Sequence, residues 1–250
     1  MDNFDEILNQ LKDSSGELKD NLHILEEIIP IEEQMKYFEY SKRIKENQGY
    51  VDRNYLVALL FSPEVRLEEK RYSLTVLAGL ADIAAYRSIE TYHSSPLEPE
   101  LAHWSALALI ESRILIDSDL SGEKQFLIST GLGGLNGRLR FFAVVVTKDR
   151  SDYNDLQKEM LRREFKFEFE REKITVEDFS VLGNHLTILL LSDLKRDLKS
   201  IFWNVITECN QFGDYIDEKF LLTNVKQFNE TEIQRLISRK DEEDNSHNLP

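Results

Sequence analysis

Gly131, Gly133, Gly134 and Gly137 crowd into the stretch Gln125–Lys148, QFLISTGLGGLNGRLRFFAVVVTK. Backbone N–H groups of such a loop can line a concave surface and hold a phosphate or carboxylate. Arg138 and Arg140 would add charge and Thr130 a hydroxyl, so Thr130, Gly131, Gly133, Gly134, Gly137, Arg138 and Arg140 form the candidate ligand site. Phosphate loops of the familiar kinds lead into a helix and carry Lys-Ser/Thr. This one leads into a strand-like run, Leu139–Thr147, and lacks that dipeptide. The alternative reading is a hairpin connection that needs positive φ at several glycines; a contact loop for a peptide or protein is a third.

Other chemistry is sparse. The lone cysteine, Cys209, sits among Phe202, Val205 and Ile206 at helical spacing, as a small core residue would. His23, His93, His103 and His185 are scattered, with no HExxH or CxxC, and are expected in surface or capping roles; no metal or cofactor is implied. Glu111 stands in the apolar run Ala106–Ile110 with Arg113 close by, and Glu90 follows Arg87 at i+3. Ion pairs within a helix, or between repeats, account for both. No GxSxG signature occurs, so no catalytic residue is named.

Composition narrows the class. The chain has 250 residues, is 41% hydrophobic and carries a net charge of −15. That suffices for a packed core and repels polyanions at long range. RNA is an alternative partner, resting on Arg138 and Arg140 ahead of Phe141 and Phe142, which share with an RNA-binding sheet motif one basic–aromatic similarity. One cysteine suits a reducing compartment. The acidic start MDNFDEILNQL is unlike a signal peptide, and no apolar run is long enough to span a bilayer, so a cytoplasmic location is expected.

The elements that must position these residues fall into two kinds. Before Leu120 the apolar spacing is helical throughout. Phe4–Leu11 and Leu18–Ile29 are expected as helices separated by Ser14-Ser15-Gly16, followed by short helices broken at Gly49, Ser62-Pro63 and Ser95-Pro96, with Asp82 as an N-cap. The breaks at Ser62-Pro63 and Ser95-Pro96, and the series Tyr40, Tyr72 and Trp104, recur about every 32 residues. The run Leu74–Asp82, LTVLAGLAD, with Ala84-Ala85-Tyr86-Arg87 after it, resembles HEAT-like repeats of the phycocyanobilin-lyase type over about residues 33–118. The resemblance implies a small helical-repeat scaffold and no particular activity.

After the polar segment Asp117–Lys124 the pattern becomes mixed. Phe126–Thr130 and Leu139–Thr147 are expected to pair as a hairpin, the second strand buried and central. A helix to about Arg171 follows, its apolar face begun by Leu156, Met160 and Leu161, although Phe165, Phe167 and Phe169 also fit a strand. Strands Ile174–Val181 and Leu186–Leu191, a helix Leu194–Phe212, a strand Phe220–Val225 and a helix Glu230–Ile237 complete the series. Strand, helix, strand, strand, helix, strand is the ferredoxin-like order.

The expectation is thus an α+β chain: residues 1–120 an all-helical HEAT-like repeat domain, 121–237 a ferredoxin-like α/β sandwich with an extra N-terminal strand and a C-terminal helix, and 238–250 a disordered tail. The function it suggests is a non-enzymatic cytoplasmic interaction or adaptor protein that binds an unnamed protein partner, with a homodimer allowed. The rivals are an RNA- or ribosome-associated factor and a nucleotide or small-anion enzyme using the glycine loop.

Overall fold

The computed structural model describes residues 21–47 and 49–247, with 239–247 given by backbone alone. The helix expected at Phe4–Leu11 lies outside the described residues, as does the start of the next. The chain is α+β and divides into two units, one ending at Gly133 and the other beginning at Gly134.

In the first unit the order is β1 (Leu22–Ile24), α1 (Ile31–Asn47), α2 (Arg53–Phe61), α3 (Leu67–Ala78), α4 (Ile83–Ser94), a 3-10 turn (Pro99–Leu101), α5 (Ala102–Ser121) and β2 (Phe126–Ile128). Leu22–Ile24 was expected to be helical. It is instead a strand, parallel to β2 with Leu22 opposite Phe126 and Ile24 opposite Ile128. A partner about a hundred residues away outweighs a weak local periodicity, a pairing invisible to any short window. The expected Phe126–Leu139 hairpin is likewise corrected, because β2 pairs with β1 and not with the strand after the glycines.

Local signals place the helices well. Asp82 caps α4, its Oδ1 accepting from the N–H groups of Ala84 (2.6 Å) and Ala85 (3.0 Å). Those bonds hold the Asp82 carboxyl below the usual carboxylate range, assisted by Arg53 at 2.8 Å. The core gathers Tyr37, Leu56, Leu60, Leu74, Leu77, Ile89, Tyr92 and Leu107. The arrangement closes on itself: α1 packs against α3 and also against α5. Repeats in a solenoid touch only their neighbours, so the contact of α1 with α5 does not suit stacked units. The rings of Tyr40 and Trp104, aligned above by their periodic spacing, instead meet edge-on with centroids 5.4 Å apart.

The second unit runs β3 (Gly134–Leu135), β4 (Arg138–Val146), α6 (Asp155–Arg171), β5 (Thr175–Leu182), β6 (His185–Ser192), α7 (Leu198–Asn210), β7 (Leu221–Thr223) and α8 (Glu230–His247). The segment 165–170 is helical. Leu161, Phe165 and Phe169 form the buried stripe of α6, whereas Leu156, expected on that stripe, is exposed. The sheet order is β3-β4-β6-β5, with β7 also on β4 and all pairings antiparallel. β4 is therefore central and β5 is an edge, bulged between Val176 and Asp178. One sheet face, with Ala143, Val145, Leu186, Ile188 and Leu190, packs against α6 and α7 around Phe165, Phe169 and Phe202. The opposite face carries Phe142, Val144 and Val146, all nearly buried. The closing helix was expected to end at Ile237; α8 continues to His247 through the segment read as a tail.

Candidate functional site

The glycine stretch divides between the two units: Thr130, Gly131 and Gly133 belong to the first, and Gly134, Gly137, Arg138 and Arg140 to the second. In the first, Thr130 is buried. Its carbonyl accepts from Gln34 Nε2 (3.0 Å) and from the Gly133 N–H (3.3 Å), and its hydroxyl donates to the Gly133 carbonyl (3.3 Å). Gly133 has φ +62°, and a Cβ there would lie 2.4 Å from the carbonyl oxygens of Glu26 and Glu27. This glycine thus serves a close approach of two backbone segments. Gly131 is buried too.

In the second unit, Asn136 (φ 52°) and Gly137 (φ 75°) are the two central residues of the β3–β4 hairpin turn. Positive φ at both positions is the requirement of a tight type I′ turn, which Asn-Gly meets best. The side chains of Arg138 and Arg140 reach over β6 to β5. Arg138 donates to Thr175 Oγ1 (2.8 Å); Arg140 pairs with Glu177 (2.8 Å) and donates to the Gly134 carbonyl (2.8 Å). Two strands separated in the sheet are thereby cross-braced on one face.

Three polar clusters sit within the helical unit. Glu111 on α5 accepts from Tyr37 Oη (2.6 Å), Ser41 Oγ (2.8 Å) and Lys45 Nζ (2.6 Å), residues that repeat every four positions along α1. Of the two accounts expected for Glu111, a pairing within its helix or one between helical units, the contact found is between helices. Desolvation, followed by the Glu111 charge, pushes the Tyr37 phenol well above its ordinary range. Lys70, fully buried, donates to Glu98, which also accepts from Tyr92 Oη (2.5 Å). Desolvation acts most strongly on Glu98 and would raise its pKa, but the two donors together hold it below the usual range. Finally, His93 lies between Ser105 Oγ (3.0 Å) and Glu27 (3.4 Å). Ser105 is wholly buried and donates to the Ala102 carbonyl (2.8 Å), so this row fixes α4 to α5 and offers no nucleophile to solvent.

Cys209 is buried, as expected. Desolvation pushes its thiol up to about 11, which leaves it protonated and unreactive near neutral pH. Among the described residues no group of His, Cys, Asp and Glu side chains is arranged to hold a metal ion, and no helix is long and apolar enough to cross a membrane.

One concave feature went unseen in the sequence. A groove of about 400 Å³ runs between α6 and the edge strand β5, lined by Arg162, Phe165, Lys166, Phe169, Glu170, Ile174, Val176 and Phe179. Its floor is aromatic and aliphatic, with Phe165 and Phe169 buried. Its mouth holds two exposed cations one helical turn apart. Lys166 lies 3.9 Å from Glu170, while Arg162 forms no hydrogen bond or ion pair among the described residues. The signal was present as two interleaved i, i+4 pairs, Arg162/Lys166 and Phe165/Phe169. Without knowing that β5 is an edge, nothing marks that face of the helix as a groove.

No family model matches the chain and no curated protein matches it. Among solved structures, a putative transposase from Deinococcus radiodurans R1 is similar at 13% identity over 41% of this chain and 90% of that one, with a TM-score of 0.36. A REP-associated tyrosine transposase bound to a REP hairpin is similar at 15% identity and a TM-score of 0.32; the match covers 38% of this chain and 60% of that one. The structures returned are transposases and not helical-repeat proteins, and the packing of α1 against α5 as well as α3 does not suit stacked repeats; the HEAT-like resemblance, and the adaptor function built on it, are withdrawn. The RNA-factor and glycine-loop enzyme alternatives do not match these neighbours either. At such TM-scores the likeness carries no function across to this chain.

Proposed function

We propose that the second unit is a ferredoxin-like domain that binds a small amphipathic monocarboxylate in the groove between α6 and β5. The strand order, with β4 between β7 and β6 and β5 outermost, supports the ferredoxin-like reading. One observation carries the ligand class: an apolar groove of about 400 Å³ opens under the guanidinium of Arg162, which has no ion-pair partner among the described residues, with Lys166 beside it. Ligand pockets of this size combine an apolar lining with a few charged groups that set orientation. An alkyl or aryl group against Phe165, Phe169 and Phe179 would lose its contact with water. Its carboxylate at the mouth would meet Arg162 without breaking an existing ion pair. Glu170, already paired with Lys166, places a negative charge at the far end of that turn, which favours one negative charge on the ligand over two. The lining offers recognition groups, and the reading is one of binding.

The test is calorimetric titration of the whole chain with octanoate, octylamine and acetate. Octanoate should bind, octylamine should not, and acetate should be far weaker because it lacks the tail. Arg162→Glu should weaken octanoate at least tenfold. Equal binding of octylamine, or octanoate binding unchanged in Arg162→Glu, would show that the groove does not select a carboxylate.

A further inference from the structure

The second face of the sheet carries Phe142, Val144 and Val146 of β4, and α8 covers it. Several contacts hold the helix there. Ile233 and Ile237 are buried, the Phe228 ring lies 6.3 Å from that of Phe142, and His185 Nε2 lies 3.1 Å from the Glu230 carboxylate. The start of α8 is capped by Asn229 Oδ1, which accepts from the Glu232 N–H (3.0 Å). Beneath this fixed cover the side chains do not fill the space. On this face β4 presents a large residue, Phe142, and then the shorter Val144 and Val146. A cavity of about 230 Å³ remains, lined by Val144 and Val146 of β4, Leu221 of β7, and Ile233, Leu236 and Ile237 of α8. The Phe220 ring also reaches it, and is fixed by stacking on Phe202 with centroids 5.3 Å apart.

The lining offers very little polarity. Its sheet backbone is already engaged: Val144 lies in the ladders to both β6 and β7, and the Val146 carbonyl accepts from the Asp217 N–H (2.9 Å). The one charged residue of the lining, Lys219, is exposed and has an interaction of its own. A charged group inside would lose its hydration with nothing to replace it, and a water would find too few partners. Leu236 is 37% exposed, which gives the cavity an opening at that residue. An engineered apolar cavity of about 150 Å³ is enough to hold benzene. The larger volume here has room for one ring with a small substituent.

We propose that the space between α8 and the sheet is a binding site for a small uncharged molecule carrying one aromatic or branched aliphatic group. The ligand exchanges water for Val144, Val146, Leu221 and Ile233, and supplies the dispersion contacts that the bare lining lacks. Selection is by polarity, because no group inside can pair with a charge. This sets the site apart from the groove between α6 and β5, where Arg162 and Lys166 face a carboxylate, and neither site depends on the other.

The experiment is a methyl-resolved NMR titration of the full chain, labelled at isoleucine, leucine and valine, with toluene, benzoate and benzylamine. Toluene should shift the methyl signals of Val144, Val146, Leu221 and Ile233 saturably. Benzoate and benzylamine should bind there at least tenfold more weakly. Leu236→Trp places an indole across the opening without removing a buried side chain, and should weaken toluene at least tenfold. Leu221→Trp fills the same space from the short strand β7 and should act alike, which decides the matter if the first variant disturbs α8. Absence of saturable shifts at the cavity methyls, benzoate or benzylamine bound there as tightly as toluene, or toluene binding unchanged in both variants would overturn the proposal.

Discussion

In the first unit the helices are tied by polar contacts to buried side chains: the wholly buried Lys70 and Tyr92 to the half-buried Glu98, and buried Tyr37 and Ser41, with the exposed Lys45, to Glu111. In the second, the centre is aromatic. Phe165, Phe169 and Phe202 have ring centroids 5.3 to 5.6 Å apart, and a five-stranded sheet supplies the alignment. The contrast follows from what each architecture already fixes. An antiparallel sheet sets register through its ladder, since a one-residue slip would turn every side chain to the wrong face. Helices packed on helices slide and rotate at small cost, and a buried charge that must meet its partner penalises such slips. The first unit therefore obtains specificity from a few directional contacts, and the second from shape.

Substitutions can break this comparison. The largest losses are expected at the two centres. Phe202→Ala should cost about 3–5 kcal/mol in the second unit, because it opens a cavity between two other rings. Glu98→Ala should cost a similar amount, about 3–5 kcal/mol, in the first unit by leaving Lys70 buried and unpaired. Denaturant unfolding followed by probes in each unit measures both. The distinction sharpens in the double change Lys70→Met with Glu98→Gln, which should recover most of the loss. No second substitution that leaves the cavity open should rescue Phe202→Ala. If the double change is as unstable as Glu98→Ala, the unpaired charge is not the cause.

The glycines give a smaller contrast. Gly137→Ala meets open space and should cost about 1–2 kcal/mol, the penalty of a left-handed residue. Gly133→Ala should cost clearly more, since its Cβ would overlap the Glu26 and Glu27 carbonyls. Equal thermal shifts for the two would refute the close-approach role of Gly133. The smallest effect belongs to the cap: Asp82→Ala should remove about 1 kcal/mol. Because the native carboxyl titrates below its ordinary range, its contribution is present above the usual carboxylate pKa and is lost as pH falls through the lowered value. The difference between Asp82→Ala and the unaltered chain should therefore shrink in acid, as unfolding curves between pH 2.5 and 6 would show.

Sequence reading located most helices and strands because their signals are local. Asp82 ahead of Ile83, Gly183-Asn184 between two apolar runs, and the Phe165–Phe169 step each depend on residues within one or two turns. It failed where the partner was distant. Leu22–Ile24 looks helical until Phe126–Ile128 is brought beside it. Tyr40, Tyr72 and Trp104 look like a repeat, yet Tyr40 and Trp104 are spaced so as to meet. The glycine run looks like one loop with one purpose, but Gly133 answers to Glu26 and Glu27 while Gly137 answers to its own hairpin.

By itself the sequence determined the α+β character, the helix start at Asp82, the central strand, read as Leu139–Thr147, and the burial of Cys209, all consequences of side-chain type and spacing. Only the tertiary structure decided which helix faces Glu111, that Arg138 and Arg140 brace β5, that α6 and β5 leave a groove under Arg162, and that His185 meets Glu230. Each of these joins residues far apart in the chain. Local propensity is blind to such pairings, because chain closure and packing bring them together.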